Sequence, residues 1–411
     1  MNESLTITRQ THPGVTSAHA PAANYNLAIG YLRAFVTLLV VAHHAVLVYC
    51  PFLPPVAPAS LVAQPRWWEA FPVIDSHRWM GFGIFVGFND MFFMSLMFFL
   101  SGLFVWTSLQ RKGTGTFFRD RLLRLGLPFV LAAAIVAPLA YYPTYLQSGG
   151  HGIAGFWQQW KSLGTWPAGP AWFVWLLLAF DAAVAALYAF KPNFGEALGK
   201  LASTAAQRPF RFFSLLVVAS AVAYVPLSLV IDPMYWSAFG PFFFQTSRII
   251  HYFVYFLAGI AVGGYGLDRG LLAPGGELAR RWGRWTGGAV AAFLFAISVL
   301  GFAAGATTLL LLWKIYGGLG FVFSCAASSF ACMAVFVHST LRRSAVWDSL
   351  TRNAYGIYLV HYAFVSWLQY ALVKFDLPGV VKGFAVIIAA VLLSWATTAA
   401  LRRIPPVAKV I

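Results

Sequence analysis

The chain of 411 residues is 60% hydrophobic, 17% aromatic and only 10% charged, against roughly 25% charged in ordinary soluble proteins. So few charges cannot coat a water-soluble domain of this size, and so much apolar side chain excludes a disordered one. The composition is that of an integral membrane protein with the lipid bilayer as a partner, and its formal charge of +16 is read as basic residues gathered in cytoplasmic loops rather than as a nucleic-acid surface.

In chain order, residues 1–26 are polar with a single basic residue, Arg9, and no signal-peptide core. They are expected to form a cytoplasmic tail ahead of a membrane domain over 27–401, with 402–411 a short basic tail. Apolar runs of about 20 residues, the length that crosses a bilayer, fall at 27–49, 88–108, 122–142, 171–190, 210–231, 248–266, 286–304, 316–338, 353–373 and 379–401. This predicts an all-α polytopic bundle of ten transmembrane helices with both termini cytoplasmic. With that orientation 21 of the 28 basic residues fall on the inner side, at least three in each inner loop, as the positive-inside rule requires. The loop tryptophans Trp67, Trp68, Trp79, Trp157, Trp160 and Trp166 form an interfacial belt, or stack on sugars.

Ionisable residues within spans are costly, so each either marks a functional site or holds helices together. The first run carries Arg33 and His44, eleven residues apart: 20° past three full rotations, on one face and about 16 Å apart along the axis. His43 points about 100° away, as a structural group. Asp90, beside Asn89 in the second run, lies at a depth matching His44 and is expected to orient its imidazole. Asp181 sits in the fourth run, Arg248 and His251 share a face at the outer end of the sixth, and His361 lies in the ninth. Arg119, Arg121 and Arg124 open the third run, either as charge anchors or as a phosphate clamp, since guanidinium groups grip phosphate bidentately. Cys50, Cys325 and Cys332 are too scattered for a disulfide framework or a cysteine metal site, and no HExxH, CxxC, P-loop or GxGxxG occurs, so no metal is expected.

Five motifs in this order resemble the acyltransferase 3 family of membrane proteins. Arg33 and His44 resemble its first-helix R-x10-H signature, MFFLSGLFV (97–105) its FF-x-SG pattern, and RLLR (121–124) its R-x-x-R motif. GPAWFVWLLL (169–178) resembles its WFL stretch and NAYGIYLVH (353–361) its IYLxH ending. Ala34 departs from the Gly that many members carry after the arginine. No SGNH-type domain follows the last span, so complete transfer is expected within the membrane domain.

The resemblance implies transfer of an acetyl or succinyl group from acyl-CoA, as co-substrate, to a hydroxyl of a surface or periplasmic glycan or lipid-linked sugar at a bacterial inner membrane. His44 is then the essential histidine, acting as general base or carrying the acyl group. Arg33 is its motif partner and a donor-binding group, and Arg121 and Arg124, with Arg119 beside them, hold the donor. Asp181, Arg248, His251, His361 and Trp172 are expected on the substrate side. The competing class is a transporter or flippase of a polar lipid or organic acid, using the same His, Asp and Arg as relay or substrate groups; the chain lacks the paired broken segments common there. A non-catalytic scaffold needs no charged column in its first span.

Overall fold

A computed structural model describes residues 21–53, 73–305, 307–340 and 342–411. Arg9, Trp67 and Trp68, with residues 1–20 of the expected tail, lie outside the described residues. The helices are α1 (Pro21–Leu47), α2 (Met80–Gly102), α3 (Val105–Gln147), α4 (Ile153–Ser162), α5 (Trp172–Phe190), α6 (Phe194–Ser203) and α7 (Pro209–Val230). A hairpin follows, β1 (Trp236–Phe239) and β2 (Phe242–Gln245), and then α8 (Ile249–Tyr265), α9 (Trp282–Gly305), α10 (Leu310–Ser339), α11 (Ala345–Leu372) and α12 (Gly379–Leu401).

Among the described residues nine helical segments are long and apolar enough to cross a membrane. They coincide with nine of the ten expected runs. The remaining run, 353–373, falls in α11, which is long enough at 28 residues but carries Asp348, Arg352, Asn353 and Gln369. Its polarity is sheltered, because α11 accompanies α1 in the same direction. Tyr31 donates to Asp348 Oδ1 at 2.8 Å and His361 Nε2 lies 3.3 Å from His44 Nδ1, both pairs 317 residues apart in sequence. Gln369 Nε2 then donates to the carbonyls of His44 and Ala45 at 3.0 and 3.1 Å. A helix in parallel register with α1 over that length crosses whatever α1 crosses.

The third run is longer than its apolar core. Gly113, at φ +72° and ψ 167°, breaks the helical path near the start of α3, a backbone state that favours glycine. Lys112 and Asp120 close over the break in a 2.5 Å ion pair. Two π-helical turns, Leu122–Gly126 and Ala132–Val136, then lie within the segment that reaches Gln147.

Close packing between α2 and α8 rests on glycine. Gly259 and Gly263 form a GxxxG step whose missing Cβ atoms leave room for the carbonyls of Phe99 and Leu103, and Gly102 does the same for the carbonyl of Phe256. Small residues of this kind let membrane helices approach without an apolar driving force between them. The hairpin, absent from the expected all-helical layout, pairs Trp236 with Gln245 and Phe239 with Phe242 around Gly240 at φ +55°. It docks against α5 and α3: Trp175 Nε1 donates to Phe243 O at 2.8 Å, and Phe242 stacks on Phe129 at 5.4 Å.

Both described chain ends lie at one end of the bundle. Tyr31 meets Asp348, Trp395 meets Ser349 at 3.0 Å, and Trp282 stacks on His338. Arg280, Arg281, Arg342, Arg352 and Arg402 belong to this same end. The opposite end holds Trp79, whose N–H donates to Tyr49 O at 2.9 Å. The outward faces of α7, α9 and α12 stay apolar and exposed, with Val222, Phe295 and Ile388 among them. Only 22% of the apolar window of α12 is buried within the protein, as expected where lipid covers the rest.

Candidate active site beside the first helix

Helix α1 delivers His44 to a cluster built with α11. His361 is fully buried, and its Nδ1 donates to Tyr358 O at 2.7 Å. A carbonyl can only accept, so the neutral ring presents a lone pair at Nε2. His44 Nδ1 lies 2.9 Å from Val40 O and 3.3 Å from that His361 Nε2, two acceptors for one N–H. These partners assign the His44 proton to Nδ1 and leave Nε2 as a bare nitrogen, with no protein partner among the described residues. The ring is half-buried, with Tyr362 edge-on at 5.2 Å. Tyr358 and Tyr362 also wall a small cavity with Ala132, Ala168, Pro170 and Ala171, and Tyr358 OH donates to Pro170 O. His43 faces elsewhere, stacked on Phe93 at 5.0 Å.

Three turns below His44, the side chain of Arg33 is exposed. No carboxylate or hydrogen-bond acceptor engages its guanidinium among the described residues, leaving the cation available to a ligand. On α3, Arg121 turns inward to Asp181, with Nε 3.2 Å from Oδ2, and lies over the Phe117 ring at 4.9 Å. Arg119 and Arg124 are exposed. Tyr355 of α11 donates to Arg124 O at 2.7 Å, which ties this arginine segment to the helix that carries His361.

The expected partnership of Asp90 with His44 is not what the structure holds. Asp90 Oδ2 accepts from Arg248 Nη2 at 2.7 Å, and Asp90 O accepts from Nη1 at 3.0 Å. The Arg248 side chain is only 5% exposed, so at this depth it requires a counterion, and Asp90 provides it. Val40 O and His361 take the orienting place instead. Arg248 also lies over Phe321 at 4.6 Å. His251 is fully buried, with Nε2 3.1 Å from Ser95 Oγ and 3.6 Å from Cys325 Sγ. Asp181 is fully buried, with Arg121 as its ionic partner. Trp172 is half-buried among Trp236, Tyr252 and Phe98, at 5.3, 5.8 and 6.4 Å. Its neighbour Phe173 packs on Tyr358 at 5.8 Å, one layer from His361.

A family model described as an acyltransferase domain matches residues 26–399, nearly the whole chain from α1 to α12. The chain belongs to the acyltransferase 3 family. No curated protein and no solved structure matches it significantly. The transporter and scaffold alternatives give way to this membership: the molecule is a membrane acyltransferase.

At the far end of this acyltransferase lies a polar cluster that its sequence did not single out. Lys382 of α12 is fully buried and donates to Asp75 Oδ2 at 2.7 Å. His77 bridges outward, with Nδ1 2.9 Å from Asp75 Oδ1 and Nε2 2.9 Å from Asp376 Oδ1. Hydrogen bonds to these two carboxylates raise the His77 pKa above its ordinary value, with Lys382 opposing them. In the sequence the cluster shows only as a lysine inside an apolar run. Among the described residues no group of three His, Cys, Asp or Glu is gathered so as to hold a metal ion.

Proposed function

We propose that this acyltransferase moves an acetyl or succinyl group from acyl-CoA to a hydroxyl of a glycan or lipid-linked sugar, with His44 as general base. The observation that carries the reading is the bare Nε2 of His44, held in that tautomer by Val40 O and His361. The acceptor O–H gives its proton to Nε2 as its oxygen attacks the thioester carbonyl. The tetrahedral intermediate collapses, the C–S bond breaks, and the CoA thiolate leaves and takes up the proton. While the ring is an imidazolium, its Nδ1–H keeps the lone pair of His361 as acceptor.

Arg33 and the exposed Arg119 and Arg124 suit a polyanionic donor, and Arg121 supports them from its ion pair with Asp181. The positive-inside rule assigns the basic end to the cytoplasm, where acyl-CoA is found, and the reading places the protein in a bacterial inner membrane. Purified His44→Ala is expected to lose about 10²- to 10⁴-fold in acyl-CoA consumption with a glycan acceptor. Full activity in a correctly folded variant removes His44 from the chemistry.

A further inference from the structure

At the basic end, away from His44, α7, α9 and α10 form a groove of about 570 Å³ that the acyl-transfer reading does not use. Its rim carries Arg208, Arg211, Arg281 and Arg284 against a single carboxylate, Glu277: four positive charges less one leave +3. Glu277 is committed to Arg281, at 2.7 Å, and to its neighbour Arg280. Arg208, Arg211 and Arg284 have no acidic partner among the described residues.

The wall below the rim is aromatic. Phe213 packs on Trp285 at 5.4 Å and on Phe323 at 5.7 Å, which fixes a rigid floor. Phe210 and Phe323 remain 67% and 42% exposed. Phe323 lies about four helical turns from the basic end of α10, so the groove passes from the headgroup level toward the hydrocarbon.

Ordinary topology charges would decorate loops without forming a concave site. Here cations from the start of α7 and from the residues around the start of α9 converge over one aromatic trough. A free phosphate would leave the trough uncovered, and a neutral lipid would leave the arginines unpaired. An amphiphile with an anionic head satisfies both, and basic pockets between membrane helices on the cytoplasmic side recognise such lipids.

We infer that this groove is a binding site for an anionic phospholipid, with its phosphate on Arg208, Arg211 and Arg284 and an acyl chain along Phe213, Trp285 and Phe323. The inference is independent of the acyl-transfer reading.

Native mass spectrometry of the delipidated full chain tests it with phosphatidylglycerol, phosphatidylcholine, glycerol phosphate and coenzyme A as probes. Phosphatidylglycerol is expected to bind in preference to phosphatidylcholine. The Arg211→Gln/Arg284→Gln variant should bind it about thirtyfold more weakly, the effect of two interfacial arginines. Equal binding of both lipids, undiminished binding by the variant, or displacement of the lipid by glycerol phosphate or coenzyme A overturns the assignment. A second measurement needs no variant: phosphatidylglycerol with a photoreactive headgroup is crosslinked to the wild-type chain. Label within 207–213 and 281–288 is expected, and label confined to other segments overturns it.

Discussion

His44 and His361 form a pair in which one ring sets the state of the other. Replacing His361 by Phe removes the acceptor at 3.3 Å and frees the His44 ring to turn. Activity is expected to fall by tenfold or more, each tenfold being about 1.4 kcal/mol of barrier. His361→Gln, which can restore an acceptor, should recover part of the loss in kcat with KM for the donor unchanged; equal losses in both variants would mark His361 as mere packing. Asp90→Asn makes the opposite case. It leaves Arg248 buried without its counterion, at a cost of about 2 kcal/mol, below the 3–5 kcal/mol of a fully buried pair because Asp90 is 38% exposed. Its melting temperature should drop while activity per folded molecule is retained, which separates a structural ion pair from a catalytic one. At this scale the sequence placed Arg33 and His44 on one face, because helical rotation is a property of one segment. It misassigned Asp90, because matching depth on two helices leaves open which way each side chain turns, and Arg248 arrives from a helix more than 150 residues later.

Helix partners obey the same division. The apolar runs announced the spans because bilayer thickness fixes their length. The glycine seam of α8 was present as Gly259 and Gly263 but had no visible partner until α2 lay against it. Gly259→Leu would drive a side chain into the Phe99 carbonyl, and a lower melting temperature with reduced membrane yield is expected; an unchanged melting temperature would show that the seam can open at no cost. The hairpin escaped detection because Trp236–Gln245 is too short and too aromatic to separate from a span flank. The cluster of Asp75, His77, Asp376 and Lys382 joins the segment before α2 to the start of α12, and it should respond to pH. His77 has its folded pKa raised by Asp75 and Asp376 against the opposing Lys382. Its stabilisation is therefore complete below the unfolded value of about 6.5 and is lost as pH rises through the higher folded value. Melting temperatures taken from pH 5.5 to 8.5 should show the wild type losing its advantage over His77→Gln on the alkaline side. Parallel curves would exclude His77 from the latch.

For the molecule as a whole, composition alone decided the solvent: 10% charged residues and apolar outward faces on α7, α9 and α12 belong in lipid. The formal +16 also divides usefully, since the same basic end holds topology charges, the α3 arginines and the groove of Arg208, Arg211 and Arg284. What the sequence could not supply was the order in which helices surround α1, because neighbours in the bundle are not neighbours in the chain. The parallel register of α1 and α11 carries a consequence for biogenesis. His44 is made early and His361 some 317 residues later, after nearly all the other spans. Until α11 inserts, the His44 ring has only a carbonyl of its own helix for company, and the small cavity lacks its tyrosine wall. A half-synthesised chain in the membrane therefore holds His44 on the Val40 carbonyl alone, without its second acceptor, and the histidine pair is complete only when the fold nearly is.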